Sequence, residues 1–169
     1  MEAPFHSSHQ KESEQMFEKL LYAAKKVEAK DITIPCVDQS SLKTNSDKKL
    51  FIESVSKFIH LASKLGIMIN IEADLDPLSF KSLLEELSSS TIKVNYDTGN
   101  SASLGFNPKE EFEAYGEAIS VLHIKDREYK KGSVLLGTGN VDFDNIIELL
   151  ENINFSGTIP LQASRKENY

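Results

Sequence analysis

The heptapeptide Val94-Asn95-Tyr96-Asp97-Thr98-Gly99-Asn100 is the stretch on which the fold prediction depends. The run 92–96 is largely apolar and is typical of a buried strand. It ends in Asp97, and the Gly99-Asn100 pair then predicts a turn. An Asx turn closed with Gly99 would explain this one carboxylate without any function. However, a carboxylate at the carboxyl end of a buried strand is also well placed for chemistry.

Three other predicted strands end in similar polar groups. The segment Ile69-Asn70-Ile71 leads into Glu72, Val121-Leu122 leads into His123, and residues 158–161 lead into Gln162. A single acidic strand end is more often a helix cap, and His123 alone could be a hydrogen-bonded core histidine. Four such residues at successive strand ends favour a shared functional role.

Helical and strand patterns alternate along the whole chain. Apolar residues recur at helical spacing in five segments: 11–30, 47–65, 77–87, 108–115 and 142–150. Five short apolar runs are predicted strands: 32–34, 67–71, 91–97, 119–124 and 158–161. Such alternation predicts an α/β fold with a parallel sheet. Helices on one side of the sheet would make a barrel, and helices on both sides would make a doubly wound sheet. No G-x-G-x-x-G motif follows the first predicted strand, which disfavours a dinucleotide-binding sheet of the second kind.

Composition limits the classes of function. A chain of 169 residues is long enough for one domain with a sizeable core, and its net charge is −7. That charge argues against a partner recognised through nucleic-acid phosphates. The single cysteine, Cys36, excludes an internal disulfide and favours a cytoplasmic location. Neither a signal peptide in residues 1–10 nor an apolar run of membrane-spanning length is predicted.

The carboxyl ends of parallel strands meet at one edge of the sheet, so Glu72, Asp97, His123 and Gln162 are expected to converge there. Four oxygen or nitrogen ligands would suit a divalent metal such as Mn²⁺, Mg²⁺ or Zn²⁺. A bound metal can polarise the carbonyl of a sugar, and a neighbouring carboxylate can move a proton. The sequence therefore predicts a metal site at this edge.

Basic and amide side chains follow the same strand ends. Lys125, Arg127 and Arg165 are candidates for holding a phosphate or carboxylate, and Asn100 is a further candidate for contacting the substrate. The glycine-containing loop 132–140 could wrap a phosphate with its backbone amides. Exposed basic residues in loops are usually only solvated, and for the glycine loop the interpretation without a function is the simpler one.

Four segments resemble a known family: Asn95–Ser101, His123–Arg127, Leu136–Phe143 and Leu161–Arg165. In order and spacing they resemble sugar phosphate isomerases and epimerases of the xylose isomerase-like TIM-barrel superfamily. The resemblance implies a metal held by a Glu, an Asp, a His and a second Glu at strand ends. By resemblance Glu72, Asp97 and His123 take the first three places, with Glu72 also the catalytic base.

Gln162 stands at the fourth ligand position, where the resemblance leads us to expect a second glutamate. In epimerases of this type the two glutamates act as opposing bases, and a neutral amide cannot be the second base. One-base isomerisation by Glu72 is therefore the simpler expectation, with Gln162 ligating the metal through its side-chain oxygen.

The resemblance also implies an incomplete architecture. We expect residues 1–169 to form a single domain that is a partial (β/α)8 TIM barrel, with about five parallel strands and outer helices. It would lack the N-terminal strands and stop before the last helix. Open parallel edges would be exposed, so weak stability or homo-oligomerisation through those edges is expected.

The leading functional hypothesis is a metal-dependent isomerase or epimerase of a sugar or sugar phosphate, working by proton transfer next to a carbonyl. The first alternative is a non-catalytic remnant of a barrel or a binding fragment. The second is an endonuclease like the apurinic endonucleases that share this barrel. The negative charge and the small number of histidines disfavour the endonuclease.

Overall fold

The structure, a computed structural model, describes residues 4–162 of an α/β chain. The chain divides into two compact units, Met1–Lys93 and Val94–Tyr169. No helix among the described residues has the length and apolar character needed to cross a bilayer.

The first unit alternates helices and parallel strands as predicted. In chain order its elements are α1 (Gln10–Lys26), β1 (Asp31–Cys36), α2 (Asn45–Leu65), β2 (Met68–Ala73) and α3 (Pro77–Leu87). Strands β1 and β2 pair in parallel from Asp31 opposite Met68 to Cys36 opposite Ala73. The Ile69 N–H donates to the Thr91 carbonyl, which continues the ladder on the other side of β2.

Local signals fix the ends of the helices in this unit. The Thr44 hydroxyl accepts from the Asp47 N–H while the Asp47 carboxylate accepts from the Thr44 N–H, so a capping box starts α2. Gly66 ends α2 with a φ of 72°, a conformation that favours glycine. Asp76 caps α3 ahead of Pro77, as predicted.

Aromatic rings form the core between the helices of the first unit. Phe17 contacts Phe5 at 5.4 Å and Phe58 at 5.3 Å between ring centroids, both edge to face. The predicted length of the first helix was wrong: α1 ends at Lys26, and Val27 beyond it is largely exposed. Apolar spacing alone extended the prediction, because Val27 matches the helical period without packing inward.

The second unit contains the stretch that decided the fold prediction. Its elements are β3 (Ile92–Asp97, whose first two residues belong to the first unit), α4 (Thr98–Leu104), α5 (Pro108–Tyr115), β4 (Ile119–His123), β5 (Asp126–Arg127), β6 (Ser133–Val134) and α6 (Phe143–Asn152). Strands β3 and β4 are parallel, with Asp97 opposite His123.

Two local predictions in this unit were wrong. The turn expected at Gly99-Asn100 is the first turn of α4, because Asp97 caps a helix instead of closing an Asx turn. The loop after β4 contains a short antiparallel pair, β5 with β6, that alternation in the sequence did not reveal. Each β5–β6 strand has only two residues, too few for a period-2 pattern.

The predicted fifth strand is not continuous. Residues 158–161 pair with β4 and Ile124 through two isolated parallel bridges, Val121 with Thr158 and Ile124 with Leu161. The Thr158 N–H donates to the Ser120 carbonyl and the Gln162 N–H to the Ile124 carbonyl. Pro160 lies between them and has no N–H, so one bond of the ladder is missing.

A buried carboxylate joins β3 to both following helices. Glu111 on α5 accepts hydrogen bonds from the Tyr96 and Tyr115 hydroxyls, each at 2.8 Å, and from the Ser101 hydroxyl on α4. Burial raises the pKa of Glu111 despite these three donors. The network fixes α4, and therefore the residues that follow Asp97.

Candidate functional site

Asp97 has two distinct roles for its two carboxylate oxygens. Oδ1 accepts from the Asn100 N–H at 2.8 Å and so caps α4. Oδ2 lies 3.6 Å from Lys125 Nζ and 3.9 Å from His123 Nδ1. The side chain is buried, so the attraction between its charge and the Lys125 ammonium is stronger than it would be in water. The cap thus orients the second oxygen toward β4.

Thr98 and Gly99 bring the chain after β4 close to α4. The Thr98 hydroxyl accepts from the Lys125 N–H at 3.0 Å and donates to the Lys125 carbonyl at 2.6 Å. A Cβ on Gly99 would lie 2.9 Å from Lys125 Cγ and 3.1 Å from Arg127 Cγ, so glycine is needed for close approach rather than for a turn. Thr98 and Gly99 therefore keep residues 125–127 close to Asp97.

His123 presents one ring nitrogen to the same place. Its Nδ1 lies 3.2 Å from Asn95 Nδ2 and 3.0 Å from Gln162 Nε2. A ring nitrogen has one in-plane position for a hydrogen bond, so the two amides compete for Nδ1. Burial lowers the pKa of His123, and Lys125 adds to that effect while Asp97 opposes it. The ring is thereby kept neutral, the form that ligates metals.

Two of the predicted metal ligands in the second unit lie close enough to share one divalent cation. Two atoms that share a metal at about 2.1 Å each can be separated by up to roughly 4.2 Å. Asp97 Oδ2 and His123 Nδ1 are within that limit, and the Gln162 amide contacts the same nitrogen. Within residues 4–162, no three Asp, Glu, His or Cys side chains form a cluster able to hold a metal. Of the predicted ligands, the structure groups Asp97, His123 and Gln162.

Glu72, the predicted base, belongs to the first unit. It is the penultimate residue of β2, opposite Pro35 of β1, and it is half-buried. It therefore sits at the carboxyl end of its strand, as expected. Nearby Cys36 is fully buried, and burial, followed by the charges of Asp74 and Glu72, raises its pKa. Cys36 is therefore a protonated thiol and a poor nucleophile.

Three predicted substrate contacts form one cluster. Asn100 Oδ1 accepts from Arg127 Nη1 at 2.8 Å and from Lys125 Nζ at 3.5 Å. Arg127 also donates from Nε and Nη2 to the Lys131 carbonyl, at 3.0 and 2.8 Å. The fourth predicted contact, Arg165, lies outside the described residues.

Sequence reasoning missed two residues here. Asn95 is buried and contacts His123, and it shares a strand face with Asp97 because side chains alternate along β3. A polar residue two positions before Asp97 was the available signal. Asp126 is almost fully buried, and its carboxylate accepts from the N–H groups of Gly137, Gly139 and Val141.

The loop amides that could have wrapped a phosphate donate instead to a carboxylate of the chain, that of Asp126. Gly139 approaches Asp126 so closely that a Cβ there would collide with the carboxylate and lie 2.7 Å from the Arg127 carbonyl oxygen. No sequence pattern shows which anion a loop surrounds, since backbone N–H directions depend on conformation.

Comparisons with known proteins give a matching family and a curated relative. The family model described as xylose isomerase-like TIM barrel matches residues 4–167. Among curated proteins, the chain is similar to the uncharacterized protein MJ1311 of Methanocaldococcus jannaschii, with 23% identity over 121 residues. That match covers 64% of this chain and 41% of the relative.

Solved structures show the same fold. The IOLI protein, solved with a bound zinc atom, superposes with a TM-score of 0.81 at 18% identity, covering 98% of this chain and 66% of that one. D-psicose 3-epimerase, solved in the presence of D-fructose, gives a TM-score of 0.79 at 17% identity, covering 96% and 61%. The chain thus spans about two thirds or less of the length of these proteins, which fits the predicted partial barrel.

Proposed function

Because the chain belongs to the xylose isomerase-like TIM-barrel family, we propose that it is a metal-dependent isomerase or epimerase acting on a sugar. The observation that carries the proposal is the convergence of Asp97, His123 and Gln162 on one point. D-psicose 3-epimerase and the zinc-bound IOLI protein have the same fold, which supports both the sugar chemistry and the metal.

Asp97 and His123 would hold the metal, with Gln162 turning its amide oxygen toward it. When bound, a Mn²⁺, Mg²⁺ or Zn²⁺ ion polarises the substrate carbonyl. Asn95 contacts Nδ1 and so helps to orient the His123 ring. Asn100 and Lys125 lie on the same side and contact each other, so they are placed to orient substrate hydroxyls.

Glu72 is the proposed base that moves the proton next to the carbonyl, and it is also a proposed ligand. Its place at the end of β2 supports this role, because catalytic groups of parallel barrels lie at strand carboxyl ends. A single carboxylate can remove a proton from one carbon and return it to the neighbouring one. For the carbon-bound proton, isomerisation therefore requires only Glu72, while the hydroxyl proton passes from the neighbouring oxygen to the carbonyl oxygen; two-base epimerisation requires a second group.

Solvent exchange tests the reaction without assuming a product. The purified chain, loaded with Mg²⁺, is incubated with D-fructose or D-psicose in D₂O, and proton NMR follows both deuterium uptake next to the carbonyl and the appearance of an isomeric sugar. We expect uptake that Glu72→Gln abolishes and that the exposed-residue control Glu148→Gln preserves. Uptake that is equal in the wild type and Glu72→Gln would refute the assigned base.

A second candidate is a non-catalytic sugar-binding fragment. Gln162 favours it, since an amide in the fourth ligand position carries no proton-accepting charge. Sugar binding with neither deuterium uptake nor formation of an isomeric sugar would establish this candidate over the isomerase. An endonuclease is not favoured by the net charge of −7, and DNA retardation at low salt is the measurement that would revive it.

Three further expectations stay predictions: a single domain over residues 1–169, a cytoplasmic location and association through open strand edges. The edge of β1 is the relevant surface for association in the first unit. Sedimentation of the purified chain tests association, and a monomer that melts cooperatively would contradict it.

A further inference from the structure

The second unit contains two features that could bind an anion: the amide-rich loop 132–141 and the cationic pair Lys125 and Arg127. Whether the site takes a sugar phosphate or an uncharged sugar depends on whether these groups are available. Each of them has contacts within the protein that decide this.

The loop amides are directed at a carboxylate of the chain. Asp126 Oδ2 accepts from Gly137 N–H at 2.9 Å and Gly139 N–H at 2.8 Å, and Oδ1 accepts from Val141 N–H at 3.2 Å. A buried carboxylate needs such compensation, because an isolated charge costs several kcal/mol to bury. A bound phosphate would have to displace Asp126, which is covalently fixed at the start of the loop.

Arg127 is held in the same way. Nε and Nη2 both donate to the Lys131 carbonyl and Nη1 donates to Asn100, so both edges of the guanidinium are engaged. Bidentate recognition of a phosphate uses one of these edges. Binding of a phosphate by Arg127 would therefore first break its hydrogen bonds to the Lys131 carbonyl and to Asn100 of α4.

Lys125 completes a set of charges that cancel. Its Nζ lies 3.6 Å from Asp97 Oδ2, and Arg127 follows the buried Asp126 directly in sequence. Two carboxylates and two cations give this cluster no net charge. In the chain without a metal, a phosphate dianion brought to these four side chains would gain little electrostatic energy and would face Asp97.

We propose that this site takes an uncharged sugar, because the groups suited to binding a phosphate are already occupied by Asp126, Asn100 and the Lys131 carbonyl. The inference rests on the proposed sugar chemistry and names its substrate class. In this assignment Asp126 is a positioning residue: it fixes the loop that follows Lys131, whose carbonyl orients Arg127.

Inorganic phosphate is the direct probe, and it tests the inference without turnover. The wild type is titrated with phosphate at constant ionic strength and monitored by ³¹P NMR. We expect no saturable binding that depends on Lys125 or Arg127. Saturable binding with a Kd below about 1 mM that Arg127→Gln or Lys125→Gln weakens roughly tenfold would overturn the inference. Failure of the isomerase proposal would leave this result unaffected, since no reaction is measured.

Chemical rescue tests the role of Asp126 separately. Asp126→Gly leaves three N–H groups around a space of carboxylate size, so sodium formate should raise its melting temperature relative to sodium chloride. The control Asp144→Gly, at an exposed residue of α6, should show no formate effect. A folded Asp126→Gly variant that formate does not stabilise would contradict the assignment; the phosphate titration does not need this variant.

Discussion

Replacement of Thr98 by valine probes the two hydrogen bonds between the Thr98 hydroxyl and the Lys125 backbone, which position the candidate site. The change keeps the shape of the side chain and removes its hydroxyl, which is almost fully buried. Two hydrogen bonds to the Lys125 backbone are lost, at 3.0 Å and 2.6 Å. Each contributes about 1 kcal/mol net, and leaving the Lys125 N–H without a partner costs roughly another 1–2 kcal/mol.

We therefore expect Thr98→Val to lower the free energy of unfolding by about 3 kcal/mol, measured by urea denaturation. Thr98→Ser keeps the hydroxyl and should lose about 1 kcal/mol or less, for the missing methyl group. The control Thr138→Val removes an exposed hydroxyl that donates to the Leu135 carbonyl, and its effect should be within about 0.5 kcal/mol. A valine variant more stable than the serine variant would refute the claim that these two hydrogen bonds stabilise the fold.

The remaining predictions concern local stability. Burial raises the pKa of Glu111 above 4.5, so the folded state holds its proton more tightly than the unfolded state. The free energy of unfolding of the wild type, relative to that of Glu111→Gln, should therefore fall as pH rises from 4.5. A difference in urea midpoints that does not change with pH would contradict this. Thr44→Ala removes the capping box and should cost about 1 kcal/mol in the same assay, and an unchanged midpoint would contradict the cap. Gly99→Ala should lower the free energy of unfolding by about 1–3 kcal/mol, because the added Cβ meets Lys125. Gly132→Ala places its Cβ in open space and should be nearly neutral. Equal effects of the two substitutions would contradict the close approach at Gly99.

Local sequence signals predicted the elements well where one residue determines the geometry. Asp76-Pro77 and Asn107-Pro108 start helices in the structure, and Gly66 ends one. Each acts within a turn of its own position, so the sequence contains the whole interaction. Strand ends were predicted nearly as well, because buried apolar runs stop where polar residues begin.

Features that depend on register were harder to predict. Pro160 was visible in the sequence, but the bond it removes is identified only when residues 158–162 are aligned against β4. Asp97 shows a similar limit. Its position at a strand end was predicted, whereas its capping of α4 depends on a backbone conformation that Gly99-Asn100 made look like a turn.

The candidate site was predicted in part because strand ends of a parallel sheet converge. Asp97, His123 and Gln162 come together in the second unit as the alternation implied. The partners of Asp126 and Arg127 could not be predicted, since backbone N–H and carbonyl groups have no signature in the sequence. That difference explains why the contact between Asp126 and the loop amides was not predicted.

Metal binding by the purified chain tests the central claim most directly. Mn²⁺ or Zn²⁺ affinity is measured by calorimetry for wild type, Asp97→Asn, His123→Ala and the control Asp142→Asn. Asparagine retains a cap acceptor at both aspartates, since Asp142 caps α6 as Asp97 caps α4, so the helix cap is matched and only the site charge differs. We expect binding that falls at least roughly tenfold in both site variants and is kept in the control. Equal affinity in all four proteins would contradict the proposed metal site.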